Sequence, residues 1–187
     1  MIEKTNVTGN SGAIFCYPPV LDACCGTRMM WFDKADSRAL FVDIREESRV
    51  VDNGKTEATK GRAPRVVKPD QIADFRSLPF DDETFWHVVF DPPHLEAIDN
   101  PSAVLRFNYG QLFPGWREHL RAGFDECFRV LRPGGTLIFK WCESDIKLAE
   151  VLALTDKKPM YGHRSGAKAR THWVAFLKPP SADNVQG

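Results

Sequence analysis

"VVFDPPHLEA", residues 88–97, decides how this chain is read. An apolar run, Val88-Val89-Phe90, ends abruptly in Asp91, Pro92, Pro93 and His94. Prolines close strands and Asp favours turns, so a plain loop accounts for the composition. The sharper reading is a polar pocket at the carboxyl end of a buried strand, where open α/β sheets bind ligands.

Working outward, short apolar runs recur: "PVLDA" (19–23), "ALFVDI" (39–44), "QIADF" (71–75), "FWHVVF" (85–90), "GTLIFKW" (135–141) and "THWVAFLK" (171–178). Nearly continuous apolar strands imply burial on both faces, hence a parallel sheet covered by helices. The clearest helix is expected over 115–131. Trp116, Leu120, Phe124, Cys127, Phe128 and Leu131 recur there at three- and four-residue steps, with Arg117, Glu118, Arg121 and Asp125 opposite. Pro133-Gly134-Gly135 terminates it. A weaker stripe places a second helix in 143–154. Between Asp43 and Asp74 helical periodicity lapses, and two "RVV" runs flank Asn53-Gly54, a favoured hairpin turn. A β-hairpin is expected there in place of a crossover helix.

The chain has 187 residues, 43% of them hydrophobic, enough for one domain with a real core and short for two. That core is expected over about 14–178, with a polar tail at 179–187. The 25 basic and 25 acidic residues cancel, so no global field attracts a polyanion and any such site is a local patch. Five cysteines, at 16, 24, 25, 127 and 142, lack C-x-x-C spacing and read as reduced thiols rather than zinc ligands. The opening "MIEKTNVTGN" has no apolar h-region, and no apolar run approaches about 18 residues. A cytoplasmic protein with no membrane partner is expected.

Four acids stand at strand ends: Asp22, Asp43, Asp74 and Asp91. One such Asp is most often a turn former or cap. Four in succession on parallel strands face one crevice. After the first comes "ACCGTR" (23–28), where Gly26 allows close backbone approach although a full G-x-G-x-x-G is absent. Asp43 lies 21 residues beyond Asp22. An acid at about 20 residues reaches ribose hydroxyls in dinucleotide folds.

Taken together, these residues resemble the class I S-adenosylmethionine-dependent methyltransferases. In that family the first strand runs into an acidic, Gly-containing loop, like "VLDACCG" (20–26), and the second ends in an acid for the ribose, like "FVDI" (41–44). The third carries an acid near the adenine amino group, like "ADF" (73–75). The fourth ends in [D/N/S]-P-P-[Y/F/W], like "DPPH" (91–94), and the fifth follows a Pro-Gly-Gly entry, like "VLRPGGTLIFK" (130–140). The resemblance covers about 20–178. It implies a Rossmann-like α/β fold with seven mostly parallel strands, an antiparallel last strand and helices on both faces. It also implies S-adenosyl-L-methionine as cofactor, held by Asp22, Ala23, Gly26, Asp43, Ile44, Asp74 and Phe75. "DPPH" and a late Gly162-His163-Arg164 make the chain similar, further, to small phage- and prophage-type DNA amino-methyltransferases. Two positions depart from the pattern. Thr27 and Arg28 replace later glycines of the loop, and His94 stands where amino-methylating enzymes usually place an aromatic ring.

An exocyclic amino group is a poor nucleophile because its lone pair is delocalised. Two acceptors aimed at its N–H bonds favour a pyramidal nitrogen and stabilise developing positive charge. Asp91 supplies one; the resemblance assigns the Pro92 carbonyl as the other. Prolines at 92 and 93 fix the chain direction and offer no competing N–H. His94 would stack on the base. Three long loops, 45–70, 95–114 and 161–170, open on the same edge and mix basic with aromatic residues, which suits phosphate contact and stacking. Arg164, Lys168 and Arg170 lie in the last. Lys140, at the end of the fifth strand, is either a sheet-edge lysine with its charge in water or a substrate-side lysine like that of ribose 2′-O-methyltransferases. The expected activity is methylation of a nucleobase amino group, adenine N6 in DNA first. RNA methylation, a protein glutamine amide, or a non-catalytic cofactor-fold subunit stand as alternatives. At this length no separate target-recognition domain is expected. Specificity therefore falls to the loops or to a second subunit in a homo- or hetero-oligomer.

Overall fold

A computed structural model describes residues 17–49, 65–96, 104–164 and 170–180. In chain order the strands are β1 (Val20–Asp22), β2 (Ala39–Asp43), β3 (Glu47–Arg49), β4 (Arg65–Val67), β5 (Gln71–Ile72), β6 (Phe85–Phe90), β7 (Leu131–Cys142), β8 (Tyr161–Arg164) and β9 (Thr171–Leu177). The helices are α1 (Val104–Tyr109), α2 (Trp116–Val130) and α3 (Leu148–Leu152). Seven strands form one sheet in the order β5-β2-β1-β6-β7-β9-β8. The first five in that order run parallel; β9 is antiparallel to β7, and β8 to β9. This is the Rossmann-like α/β architecture expected. The chain winds from β1 outward to β5, then returns beside β1 as β6, so the topological switch lies between β1 and β6. In open α/β sheets that switch opens the ligand crevice.

Burial follows the sequence pattern. All five residues of β2 are buried. On α2, Leu120, Phe124 and Cys127 are fully buried against the sheet, where Phe124 meets Phe139 with ring centroids 4.9 Å apart and Phe90 at 5.5 Å. Burying a Leu or Phe side chain stabilises by about 1.5–3 kcal/mol. Gly123 allows the close approach: a Cβ there would lie 2.6 Å from Phe90 Cζ and 2.8 Å from Phe75 Cδ2.

Several elements differ from the sequence expectation. The strand expected to begin after Pro-Gly-Gly begins before it, at Leu131. A register shift between Phe85 and His87 absorbs the extra residues, and Gly134 turns at φ 77°. The helix expected over 143–154 shrinks to α3, because Glu143 accepts the Leu148 N–H at 3.2 Å and Trp141 Nε1 donates to the Ile146 carbonyl at 3.0 Å. The "RVV" runs supply parts of β3 and β4, an antiparallel pair outside the main sheet; Asn53-Gly54 lies outside the described residues. The first four residues of the 161–170 loop form edge strand β8. Residues 23–38 form a succession of turns with no helix. Arg28, at φ 53°, ties this stretch down. It donates to the Lys34 and Lys68 carbonyls at 2.5 and 2.7 Å, pairs with Asp70 at 3.0 Å, and covers the Phe41 ring at 3.8 Å. No helix among the described residues is long and apolar enough to cross a membrane.

Candidate active site

The carboxyl ends of β1, β2 and β6 meet at the switch point and bring Asp22, Asp43 and Asp91 together. Asp22 is wholly buried; Trp31 Nε1 donates to Oδ2 at 2.7 Å and the Cys24 N–H to Oδ1 at 3.4 Å. Burial pushes its carboxyl up to about 7, against the pull of Trp31, and the neighbouring Asp91 and Asp43 add to the rise.

Asp43 accepts the Gly26 N–H at 2.9 Å on Oδ2 and the Arg45 N–H and Nε at 2.9 and 3.1 Å on Oδ1. Asp74 is held in the same manner by Arg76, which also keeps its carboxyl below the usual range. Asp36 and Arg38 repeat the pattern on the surface. All three are Asp-x-Arg tripeptides in which the carboxylate accepts the backbone N–H two residues on, a local turn device. Asp74 therefore has a structural occupation away from the cleft, while Phe75 beside it lines the cleft.

Ala23, Gly26, Thr27, Asp43, Asp91 and Pro93 line a cavity of about 60 Å³. Its roof is α1. The Asn108 carbonyl would lie 2.5 Å from a Cβ at residue 26, so only glycine fits beneath it, and Gly26 also turns at φ 51°. Arg45 Nη1 donates to the Phe107 carbonyl at 2.9 Å, and Arg65 Nη1 donates to Asn108 Oδ1 at 2.8 Å. Ile44, Arg45 and Pro93 also line a neighbouring hollow of about 530 Å³ that reaches Arg106 and Phe113. Small-molecule clefts typically measure about 300–1,000 Å³.

On the other side of Asp91 lies a pocket of about 220 Å³, lined by Asp91, His94, Lys140, Cys142, Ser144 and Thr171. Lys140 Nζ stands 2.5 Å from Asp91 Oδ2. Burial raises the Asp91 carboxyl above its usual range, and the Lys140 ammonium opposes the rise. Pro92 and His94 are buried. The His94 ring meets Trp141 edge-on at 6.1 Å. Burial pushes its imidazole down to about 4, helped by the Lys140 charge and opposed by Asp145 and a hydrogen bond to the Pro92 backbone. Arg164 is exposed on β8, 3.8 Å from Glu143. Exposed Arg170 accepts the Glu143 N–H on its carbonyl at 2.9 Å. Lys168 lies outside the described residues.

Sequence reasoning missed Arg45, Thr27, Trp31 and the α1 roof. The repeated Asp-x-Arg spacing could have revealed Arg45. Nothing local marks the others, which reach the site only through the fold.

No protein-family model and no curated protein matches the sequence. Solved structures do resemble it. The PH0226 protein from Pyrococcus horikoshii OT3 is 17% identical at a TM-score of 0.51, over 85% of this chain and 81% of that one. A SAM-dependent methyltransferase from Methanosarcina mazei is 14% identical at a TM-score of 0.49, over 86% of this chain and 92% of its own. The 1,6-didemethyltoxoflavin-N1-methyltransferase of Burkholderia thailandensis, solved with S-adenosylhomocysteine, is 16% identical at a TM-score of 0.47, over 86% and 70%. At these identities the likeness is one of fold.

Proposed function

We propose that the chain is an S-adenosyl-L-methionine-dependent methyltransferase acting on an exocyclic amino group of a nucleobase, adenine N6 in DNA first, in the manner of the small phage-type enzymes. The observation that carries this reading is the position of Asp91. It lines the cavity at the switch point on one side and the Lys140 pocket on the other. A methyl donor in the first and an acceptor in the second would meet across it.

The cofactor-side residues fit that donor. Thr27 Oγ1 lines the cavity, buried and with no hydrogen-bond partner among the described residues. Two carboxylates, Asp43 and Asp91, face the same space, with Asp22 behind them, a donor set suited to a cationic ligand. Ala23, Gly26 and Thr27 would hold the amino-acid end, Asp43 and Ile44 the ribose, and Phe75 the base; Asp22, expected there from the sequence, is fully buried behind this wall and would act only through it. Arg45 must release Asp43 for ribose hydroxyls to reach both carboxylate oxygens. When bound, the cofactor supplies an electrophilic methyl group.

Asp91 accepts one N–H of the target amino group and the Pro92 carbonyl the other, so the nitrogen lone pair is freed and the charge that develops on it is stabilised. His94, buried and bonded to Pro92, turns outward to release that carbonyl and stack on the base. Positioning provides most of the rate enhancement, and no strong general base is needed. A duplex base must flip out to reach this pocket. Arg164, Lys168 and Arg170 would hold the flanking phosphates. One observation favours a second reading: the Lys140–Asp91 contact also suits an RNA ribose 2′-hydroxyl as acceptor. Radiolabelled methyl transfer to DNA, RNA and protein pools, followed by mass spectrometry of the modified nucleosides, tests both. Label confined to protein would overturn both.

A further inference from the structure

Asp91 must be ionised to offer an amino group a charged acceptor, yet burial opposes its ionisation. Its side chain is 9% exposed. Around it stand Asp22 from β1, Cys24 and Cys25 from the following turn, Asp43 and Arg45 from the end of β2, Cys142 from β7 and His94 from its own loop. Arg45 is engaged by Asp43, Glu47 and the Phe107 carbonyl. Lys140 Nζ makes the direct ion pair, 2.5 Å from Oδ2, with 16% of its side chain exposed. Phe90 and Phe139 are register partners on the parallel strands β6 and β7, so the next residues, Asp91 and Lys140, face each other from a rigid sheet. The Trp173 ring on β9 lies 5.7 Å from the same ammonium. This is a lysine held inward by two neighbouring strands, not one reaching for water.

We propose that Lys140 is a positioning residue that keeps the Asp91 carboxylate charged and occupies its Oδ2, leaving Oδ1 as the acceptor for the substrate's amino group. The proposal rests on the amino-group reading. It places Lys140 behind the reacting atoms rather than on them. A buried carboxylate stripped of its cation takes up a proton more readily, and the protonated form no longer offers the charged acceptor. Removing the ammonium therefore moves the protonation of Asp91 to higher pH. Asp22 feels the charge of Asp91 and shifts with it, whereas Asp74, whose carboxyl is held down by Arg76 and touched by neither Asp91 nor Lys140, acts as an internal reference.

The test needs no known substrate. The full chain, labelled with 13C at the aspartate side-chain carboxyl carbon, is titrated by NMR, with Asp91→Asn to assign the signal. In Lys140→Met the Asp91 midpoint should rise while that of Asp74 stays; in Lys140→Arg, which keeps a charge, it should return toward the parent. Methyl transfer to plasmid DNA and total RNA then completes the test. With an N-methylated product, the acid limb of the Lys140→Met rate profile should follow the carboxyl midpoint, costing about tenfold at a fixed acidic pH for each pH value moved. An unmoved Asp91 midpoint overturns the proposal and leaves the amino-group reading standing. A 2′-O-methylated product, abolished at every pH in Lys140→Met, overturns that reading and the proposal with it.

Discussion

Gly26 donates its backbone N–H to Asp43 Oδ2 at 2.9 Å, joining the turn after β1 to the end of β2. The same carboxylate anchors Arg45, which reaches on to the carbonyl of Phe107 in the α1 roof. One buried acid thus organises the floor, the wall and the lid of the cavity. Asp43→Ala should weaken binding of S-adenosylhomocysteine by about 1.5–3 kcal/mol, the range for a hydrogen bond to a charged group. Calorimetry showing the parent affinity in this variant would remove Asp43 from the cofactor site.

Asp91→Ala should leave that affinity near the parent value, because S-adenosylhomocysteine has no sulfonium charge for Asp91 to meet and its adenosine contacts lie on other strands. Loss of a group that acts on charge in the transition state costs about a hundredfold or more in rate. Single-turnover methyl transfer measures it. A variant within tenfold of the parent would mean that Asp91 does not face the reacting nitrogen.

Asp22 links stability to pH. Its carboxyl titrates at about 7 in the fold against 3.8 when unperturbed, so the native state holds a proton that the unfolded chain has lost between those values. The contribution is complete below about pH 4 and is lost as pH rises through 7, on the order of 4 kcal/mol in all. His94 acts in the opposite sense. Its imidazole falls to about 4 from 6.5, so its contribution is present above 6.5 and is lost as pH falls toward 4. The two slopes oppose each other, and a bare pH profile conceals both. Asp22→Asn keeps an acceptor for Trp31 and removes one slope. It should stabilise the fold at pH 8 relative to the parent and lose most of that advantage by pH 5. Urea unfolding at the two pH values decides it; equal differences at both would show that Asp22 titrates normally.

Gly123→Ala sets helix propensity against packing. Alanine gains about 1 kcal/mol over glycine inside a helix. Its methyl, however, would meet the Phe90 ring at 2.6 Å, and that ring is fully buried and held by Phe124 and Phe139. Overpacking costs about 1–3 kcal/mol. The net effect should be destabilising by about 1 kcal/mol, and the push on Phe75 should also weaken cofactor binding. A variant more stable to urea than the parent would show that α2 slides without cost.

The sequence by itself determined the rhythm of buried strands, the long amphipathic helix α2, the hairpin insertion and the row of acids on one edge. These follow from local periodicity: alternation and burial define strands, three- and four-residue steps define α2, and parallel strands send the residues that end them to the same side. Tertiary structure decided which acids face the cleft. Asp43 and Asp91 line the cavity at the β1/β6 switch with Asp22 fully buried behind them, whereas Asp74 closes on Arg76 through a turn that looks the same in sequence as the one at Asp43. Tertiary structure also decided that Arg28, rather than a helix, holds residues 23–38, that α1 roofs the cavity, and that Lys140 meets Asp91. The physical reason is register. The two residues of that pair are 49 positions apart, and only the alignment of Phe90 with Phe139 across β6 and β7 sets ammonium against carboxylate.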